Sequence, residues 1–184
     1  TNPGVFTYTV TDQDGLSDVG SVDITINQVN QAPIAQADVF VTDSSTTLTA
    51  NVLEDNGNGA DIDPEGDALS VTQFFVDTNA DGIPEAFSAG TTATILDDQG
   101  ELIGTLRINP DGALTFDPNV DYVGEVPAVT YELSDGTTTA TASVSITTTP
   151  SAPIAVNDVF SAPEDTTITA NVITGTSGVD TDPN

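Results

Sequence analysis

Val129-Thr130-Tyr131-Glu132-Leu133-Ser134-Asp135-Gly136 alternates apolar and polar side chains and then breaks at an Asp-Gly pair. Successive side chains of an extended chain leave opposite faces, so Val129, Tyr131 and Leu133 point one way and Thr130, Glu132 and Ser134 the other. Val144 and Ile146 resume the alternation beyond the turn. Phe6, Tyr8 and Val10, followed by Val22, Ile24 and Ile26, write the same pattern near the start of the chain. No stretch keeps a helical period, and the fold class expected is all-β.

Working outward from this hairpin, strands are expected near residues 35–41, 46–53, 68–76, 92–96, 103–108, 113–116, 128–134 and 139–147. Between them stand Asn58-Gly59, Asp81-Gly82, Asp111-Gly112 and Asp135-Gly136, where glycine accepts the positive φ of a tight turn. This many short strands with such punctuation suits a β-sandwich. Tyr131, Phe40, Phe116, Leu133 and Ile146 are the expected core, and Tyr8 falls on a strand of the same pattern.

The pattern also repeats at long range. Residues 152–172 rewrite residues 32–52 at an offset of 120: Ala32-Pro33-Ile34-Ala35 returns as Ala152-Pro153-Ile154-Ala155, and Asp38-Val39-Phe40 as Asp158-Val159-Phe160. Tyr8 to Asp12 anticipates Tyr131 to Asp135. Such a period is too long for a solenoid turn and suits a self-contained domain. Residues 1–30 then read as the closing strands of one repeat, 31–150 as a complete repeat, and 151–184 as the opening strands of another. The expectation is a stretch of a longer array, with sandwiches joined end to end.

Composition narrows the partners. Twenty-nine acidic residues face one basic residue, Arg107, for a formal charge of −28 without histidine. Nucleic acid and anionic membranes suit such a surface poorly, and no stretch is apolar enough for insertion. Two carboxylates about 4 Å apart repel by roughly 4 kcal/mol at an effective dielectric near 20, so clusters of them call for cations. With neither cysteine nor lysine, disulfide and lysine-to-asparagine staples are both excluded.

The sharpest chemical signal is Asp77-Thr78-Asn79-Ala80-Asp81-Gly82-Ile83-Pro84-Glu85. Calcium takes six to eight oxygen ligands, at about 2.3–2.6 Å. Alternate side chains from Asp77, Asn79 and Asp81 could wrap it, with the Ile83 carbonyl as a fourth ligand. The loop resembles the first half of an EF-hand but has Ser88 at the twelfth position, leaving Glu85 as the substitute. Its flanks, Phe74-Phe75-Val76 and the Ala86-Phe87 region, read as strands, and a solvated acidic hairpin is the competing reading. A second cluster, Asp61-Ile62-Asp63-Pro64-Glu65-Gly66-Asp67, returns in part as Asp180-Thr181-Asp182-Pro183. In an extended segment Asp61 and Asp63 would share a side and the turn would bring Asp67 back, a half-cage for a cation with Glu65 beside it. Asp38, Asp135 and Asp158 lie near expected strand ends and are candidates to complete a cage.

The ordered succession of these motifs resembles the bacterial cadherin-like, Ig-like tandem repeats of giant RTX-type surface adhesins. Asn30-Gln31-Ala32-Pro33-Ile34-Ala35, Asp61 to Val71, Asn109 to Pro118 and Val129 to Gly136 carry the likeness across the chain. The resemblance implies tandem Greek-key sandwiches outside the cell, with calcium in acidic loops and linkers stiffening successive domains. Two features depart from it: Ser44-Ser45 replaces the Glu-Asp pair retained at Glu164-Asp165, and the second linker lacks counterparts of Asn27 and Asn30.

The function expected is a stalk segment of an extracellular, calcium-dependent bacterial adhesin of the kind found in biofilms, or of a surface fibre, with neighbouring repeats of the same chain as partners. A calcium-dependent module binding carbohydrate, or binding itself to form a matrix or filament, is the alternative. Its weakness is the lack of tryptophan and the scarcity of tyrosine for sugar platforms. Catalysis is not expected, because there is no His, Cys or Lys and the carboxylates are too widespread to single out a pair.

Overall fold

The computed structural model describes residues 4–26, 28–120, 122–174 and 178–182. Asn27 of the first linker and Pro183 of the final acidic motif therefore lie outside the described residues. The chain divides into two compact units, Thr1–Asn30 and Gln31–Asn184.

The first unit is an antiparallel hairpin of β1 (Gly4–Thr11) and β2 (Ser17–Ile24), in which Tyr8 faces Gly20. Asp12 closes its turn by accepting from the N–H groups of Asp14 and Leu16, both at 2.9 Å. Alternation is present but burial is not: Phe6 is 54% and Tyr8 50% exposed. A two-stranded ribbon has no second layer of its own against which to bury a face, so Tyr8 does not take the core position its pattern suggested.

The second unit contains a two-sheet β-sandwich. Its strands are β3 (Asp38–Asp43), β4 (Leu48–Asn51), β5 (Ser70–Val76), β6 (Glu85–Ser88), β7 (Thr92–Leu96), β8 (Leu102–Ile108), β9 (Ala113–Pro118), β10 (Gly124–Glu125), β11 (Val129–Ser134) and β12 (Thr139–Thr149). In one sheet β12 pairs with β10, β11 and β3, and β11 continues through β5 to β6. The other sheet runs β4-β9-β8-β7. Among the described residues only the β3–β12 pairing is parallel, from Val144 opposite Asp38 to Thr149 opposite Asp43. β6 and β10 are absent from the sequence-derived set of strands, although the Ala86-Phe87 region was read as extended; both are too short for alternation to register.

The inward faces meet in one core. Val129, Tyr131 and Leu133 are fully buried, as are Phe74 and Phe116, and Ile146 is 2% exposed, whereas Phe40 is only half-buried at its margin. Phe74 stacks on Phe87 with centroids 5.4 Å apart, which seals β6 to β5. At the end where residue 31 enters, an isolated bridge joins Ile34 to Ile62. It carries the segment before β3 alongside the acidic segment 61–67.

Among the described residues after Thr149, local contacts repeat those of residues 34–62. An Ile154–Thr181 bridge answers Ile34–Ile62. Val156 N–H donates to Asp180 Oδ1 at 2.7 Å, as Gln36 N–H does to Asp61 Oδ1 at 2.6 Å. Ile173 N–H donates to Asn171 Oδ1 at 2.8 Å, as Leu53 N–H does to Asn51 Oδ1 at 2.9 Å.

Candidate metal centre

β5 and β6 are antiparallel neighbours, so the loop between them must reverse the chain over Asp77 to Pro84. Its side chains form the reversal themselves. Asp77 Oδ2 accepts from Gly82 N–H at 2.7 Å, Asn79 Oδ1 from Asp81 N–H at 3.0 Å, and Asp81 Oδ1 from Ile83 N–H at 2.8 Å. Glu85 Oε2 accepts from both the N–H and the hydroxyl of Thr78, at 2.8 and 2.7 Å. Two residues take up left-handed backbone, Ala80 at φ 57° and Gly82 at φ 83°.

This winding brings carboxylate oxygens of Asp77, Asp81 and Glu85 within 4.8 Å of one another. It is the one such convergence of three acidic side chains among the described residues. Burial alone would raise the Asp77 pKa, but the N–H groups of Gly82, Asn79, Asp81 and Ala80 outweigh it and hold the carboxyl below its ordinary range. The Thr78 hydroxyl and N–H lower Glu85 in the same way, against the repulsion of Asp77. The loop thus favours the charged forms of Asp77 and Glu85 and gathers them with Asp81, an all-oxygen donor set suited to a hard cation. Asn79 turns its carbonyl oxygen into the loop's own hydrogen bonding, and Ile83 is 68% exposed. Thr78, which no spacing argument singled out, is what holds Glu85 in place.

The second acidic segment divides in two. Asp63 Oδ1 caps its own turn, accepting from Glu65 and Asp67 N–H at 2.9 and 3.0 Å, while Asp63 Oδ2 is buried without a partner. Glu65 reaches the entering chain and accepts from the N–H and side-chain amide of Gln31, at 3.0 and 2.7 Å. Asp135 takes the N–H groups of Thr137 and Thr138, both at 2.6 Å, and the Thr138 hydroxyl lies 3.5 Å from the Gln31 carbonyl. Asp67 is exposed.

Asp61 instead faces the interior. Its Oδ2 accepts from the Tyr131 hydroxyl at 2.7 Å, and Asp38 beside it accepts from the Asn56 amide at 2.8 Å. Burial pushes the Asp38 carboxyl up to about 6, with Asn56 opposing and the charge of Asp61 adding to the rise. Burial raises Asp61 and Tyr131 as well. Asp180 occupies the corresponding place beside Val156, Asp182 is exposed, and Asp158 has a buried Oδ1 without a partner. The sequence gives no reason to single out Gln36 or Asn56, and it marks Tyr131 only as core. The available signal was the tyrosine itself, whose hydroxyl needs a partner when its ring is core.

A family model for the bacterial cadherin-like domain matches residues 30–150. The chain belongs to the bacterial cadherin-like domain family. Cadherin-like modules generally bind calcium, and membership suggests an extracellular adhesion-type module. No curated protein matches the chain significantly. Among solved structures it is similar to the endo-fucoidan hydrolase MfFcnA4 of glycoside hydrolase family 107, at 16% identity and TM-score 0.38 over 79% of this chain and 19% of that one. It is also similar to a nucleoside hydrolase-related hypothetical protein from Saccharophagus degradans that is associated with carbohydrate metabolism, at 14% identity and TM-score 0.37 over 65% and 26%. The chain spans about a quarter or less of those proteins, and likeness at this level carries no argument about function. No helix among the described residues is long and apolar enough to cross a membrane.

Proposed function

We propose that this cadherin-like chain is an extender segment of an extracellular adhesin or surface fibre, and that calcium stabilises and stiffens it. The observation that carries the reading is the convergence of Asp77, Asp81 and Glu85 in a loop whose donors favour the charged forms of Asp77 and Glu85. The family relationship supports calcium as the ion, and a net charge of −28 supports a demand for cations over the whole surface. Glu65, Asp63 and Asp135 around Gln31 form a second acidic pole where the chain enters the sandwich. Calcium at that pole would restrain the entering segment at Gln31 against the acidic turn. The role proposed is mechanical and not catalytic, and its partners are neighbouring repeats of the same protein.

Extracellular modules bind calcium with dissociation constants of about 10⁻⁴–10⁻³ M, so the segment would be soft at low calcium and stiff outside a cell. The test is a calcium titration followed by melting temperature and small-angle scattering together. A rise in stability with a longer, straighter profile is expected, and unchanged values of both would overturn the reading.

A further inference from the structure

Asp38 and Asp61 present four carboxylate oxygens to the interior of the sandwich, and the donors there do not cover them. Asp61 Oδ1 accepts from Gln36 N–H at 2.6 Å and Oδ2 from the Tyr131 hydroxyl at 2.7 Å. Asp38 Oδ1 accepts from the Asn56 amide at 2.8 Å. Asp38 Oδ2 has no partner, on a residue only 2% exposed. The donors are oversubscribed as well. The Tyr131 hydroxyl has one proton yet also lies 3.0 Å from the Gln36 carbonyl and 3.4 Å from that of Val52. The Asn56 amide nitrogen, with two protons, also lies 2.7 Å from Asn51 O and 3.0 Å from Glu54 O.

No basic side chain compensates this. Arg107, the only one in the chain, is exposed on β8 and donates to Asn109 just beyond it. Buried carboxylates without a counter-charge are strongly destabilising, so a proton or a cation must enter. One proton relieves only one of the two charges: on Asp38 it could turn to the Tyr131 hydroxyl, on Oδ1 it would meet the Asn56 amide hydrogen, and both oxygens of Asp61 already face donors. A cation requires what the site supplies, oxygen lone pairs with too few hydrogens between them. Asp158, the counterpart of Asp38 at an offset of 120, also keeps a buried oxygen without a partner, and Asp180 there repeats the main-chain contact of Asp61.

We infer that Asp38 and Asp61, with the carbonyls of Gln36 and Val52, hold a hard divalent cation inside the sandwich, separate from the loop of Asp77 to Glu85. The inference rests on the proposed function only in taking calcium as that ion. Its place would tie the segment entering β3 and the acidic segment to the Tyr131 face of β11.

The experiment uses the full chain with calcium, and with terbium as a luminescent stand-in excited through tyrosine. Variants Asp38→Asn, Tyr131→Phe, Tyr122→Phe and Asp81→Asn are compared with the wild type. Asp38→Asn should bind one ion fewer by calorimetric titration. Relative to wild type it should melt higher in chelator, where an unpaired charge is removed, and lower in calcium, where a ligand is lost. Tyrosine-sensitised emission from the inner ion should fall several-fold in Tyr131→Phe and survive Asp81→Asn. Emission and ion count unchanged in both Asp38→Asn and Tyr131→Phe, but lost in Asp81→Asn, would overturn the inner site while leaving the proposed function standing. If Asp38→Asn does not fold, Tyr131→Phe and the calcium response left in Asp81→Asn decide. No calcium response in Asp81→Asn overturns the inner site, and no calcium binding by wild type overturns both readings.

Discussion

Asp43 shows how a half-buried carboxylate of this chain is put to structural use. Its carboxyl is held below the ordinary value of 3.8 by the Ser45 hydroxyl first, then by Ser45 N–H and the Thr46 hydroxyl. A group whose folded pKa is depressed contributes stability that is present above the unfolded pKa and lost as pH falls through the folded one. In chelator, Asp43→Ala should therefore melt below wild type at neutral pH, and the gap should close in acid; a gap independent of pH would contradict this role. Gly112 is a sharper case. Its φ is +81°, and an added Cβ would run into Asn51 Oδ1 and lie 2.5 Å from Leu53 Cγ. Gly112→Ala should cost about 1–3 kcal/mol, read from the urea midpoint. The turn at Asp111-Gly112 was legible in the sequence, but the reason no other residue fits lies in a segment that pairs with it from 60 residues away.

Strands and their loops carry the next level. β9 and β11 place Phe116 and Leu133 in the core with no exposed surface. Leu133→Ala should lose about 2–5 kcal/mol and Phe116→Ala about 3–5 kcal/mol in chemical denaturation, with little change in calcium affinity. The β5–β6 loop should behave in the opposite way. Asp81→Asn leaves the sheet pairing untouched but removes one of three converging charges, so its calcium affinity should fall by about tenfold or more, since ligand charge count sets affinity in such loops. Calorimetric titration measures it, and wild-type affinity would show that the loop carboxylates are merely solvated. Alternation located β11 and β12 well because each has one face against the core. It passed over β6 and β10, whose four and two residues are set by pairing with β5 and β12.

Charge acts on the molecule as a whole. With a formal −28 and a single arginine, the metal-free chain repels itself everywhere at once. Raising sodium chloride from low salt to about 0.1 M shortens the screening length from about 30 Å toward 10 Å, and the melting temperature in chelator should rise with it. A flat response would mean that the acidic side chains are already compensated by the N–H groups and hydroxyls around them. Calcium should act at far lower concentrations than sodium, because it binds assembled sites and not a diffuse field.

Sequence by itself determined the all-β class, the turn glycines, most of the core and the acidic loop, because alternation, positive φ and charge density are local properties. Tertiary structure alone decided what each carboxylate does. Asp61 and Asp63 are two residues apart, and in a regular strand they would share a face. The bridge between Ile34 and Ile62 instead sets Asp61 against Gln36 and Tyr131, 25 and 70 residues distant, and leaves Asp63 to cap its own turn. A carboxylate takes the donors that folding brings to it, and those donors lie too far along the chain for any spacing rule to place.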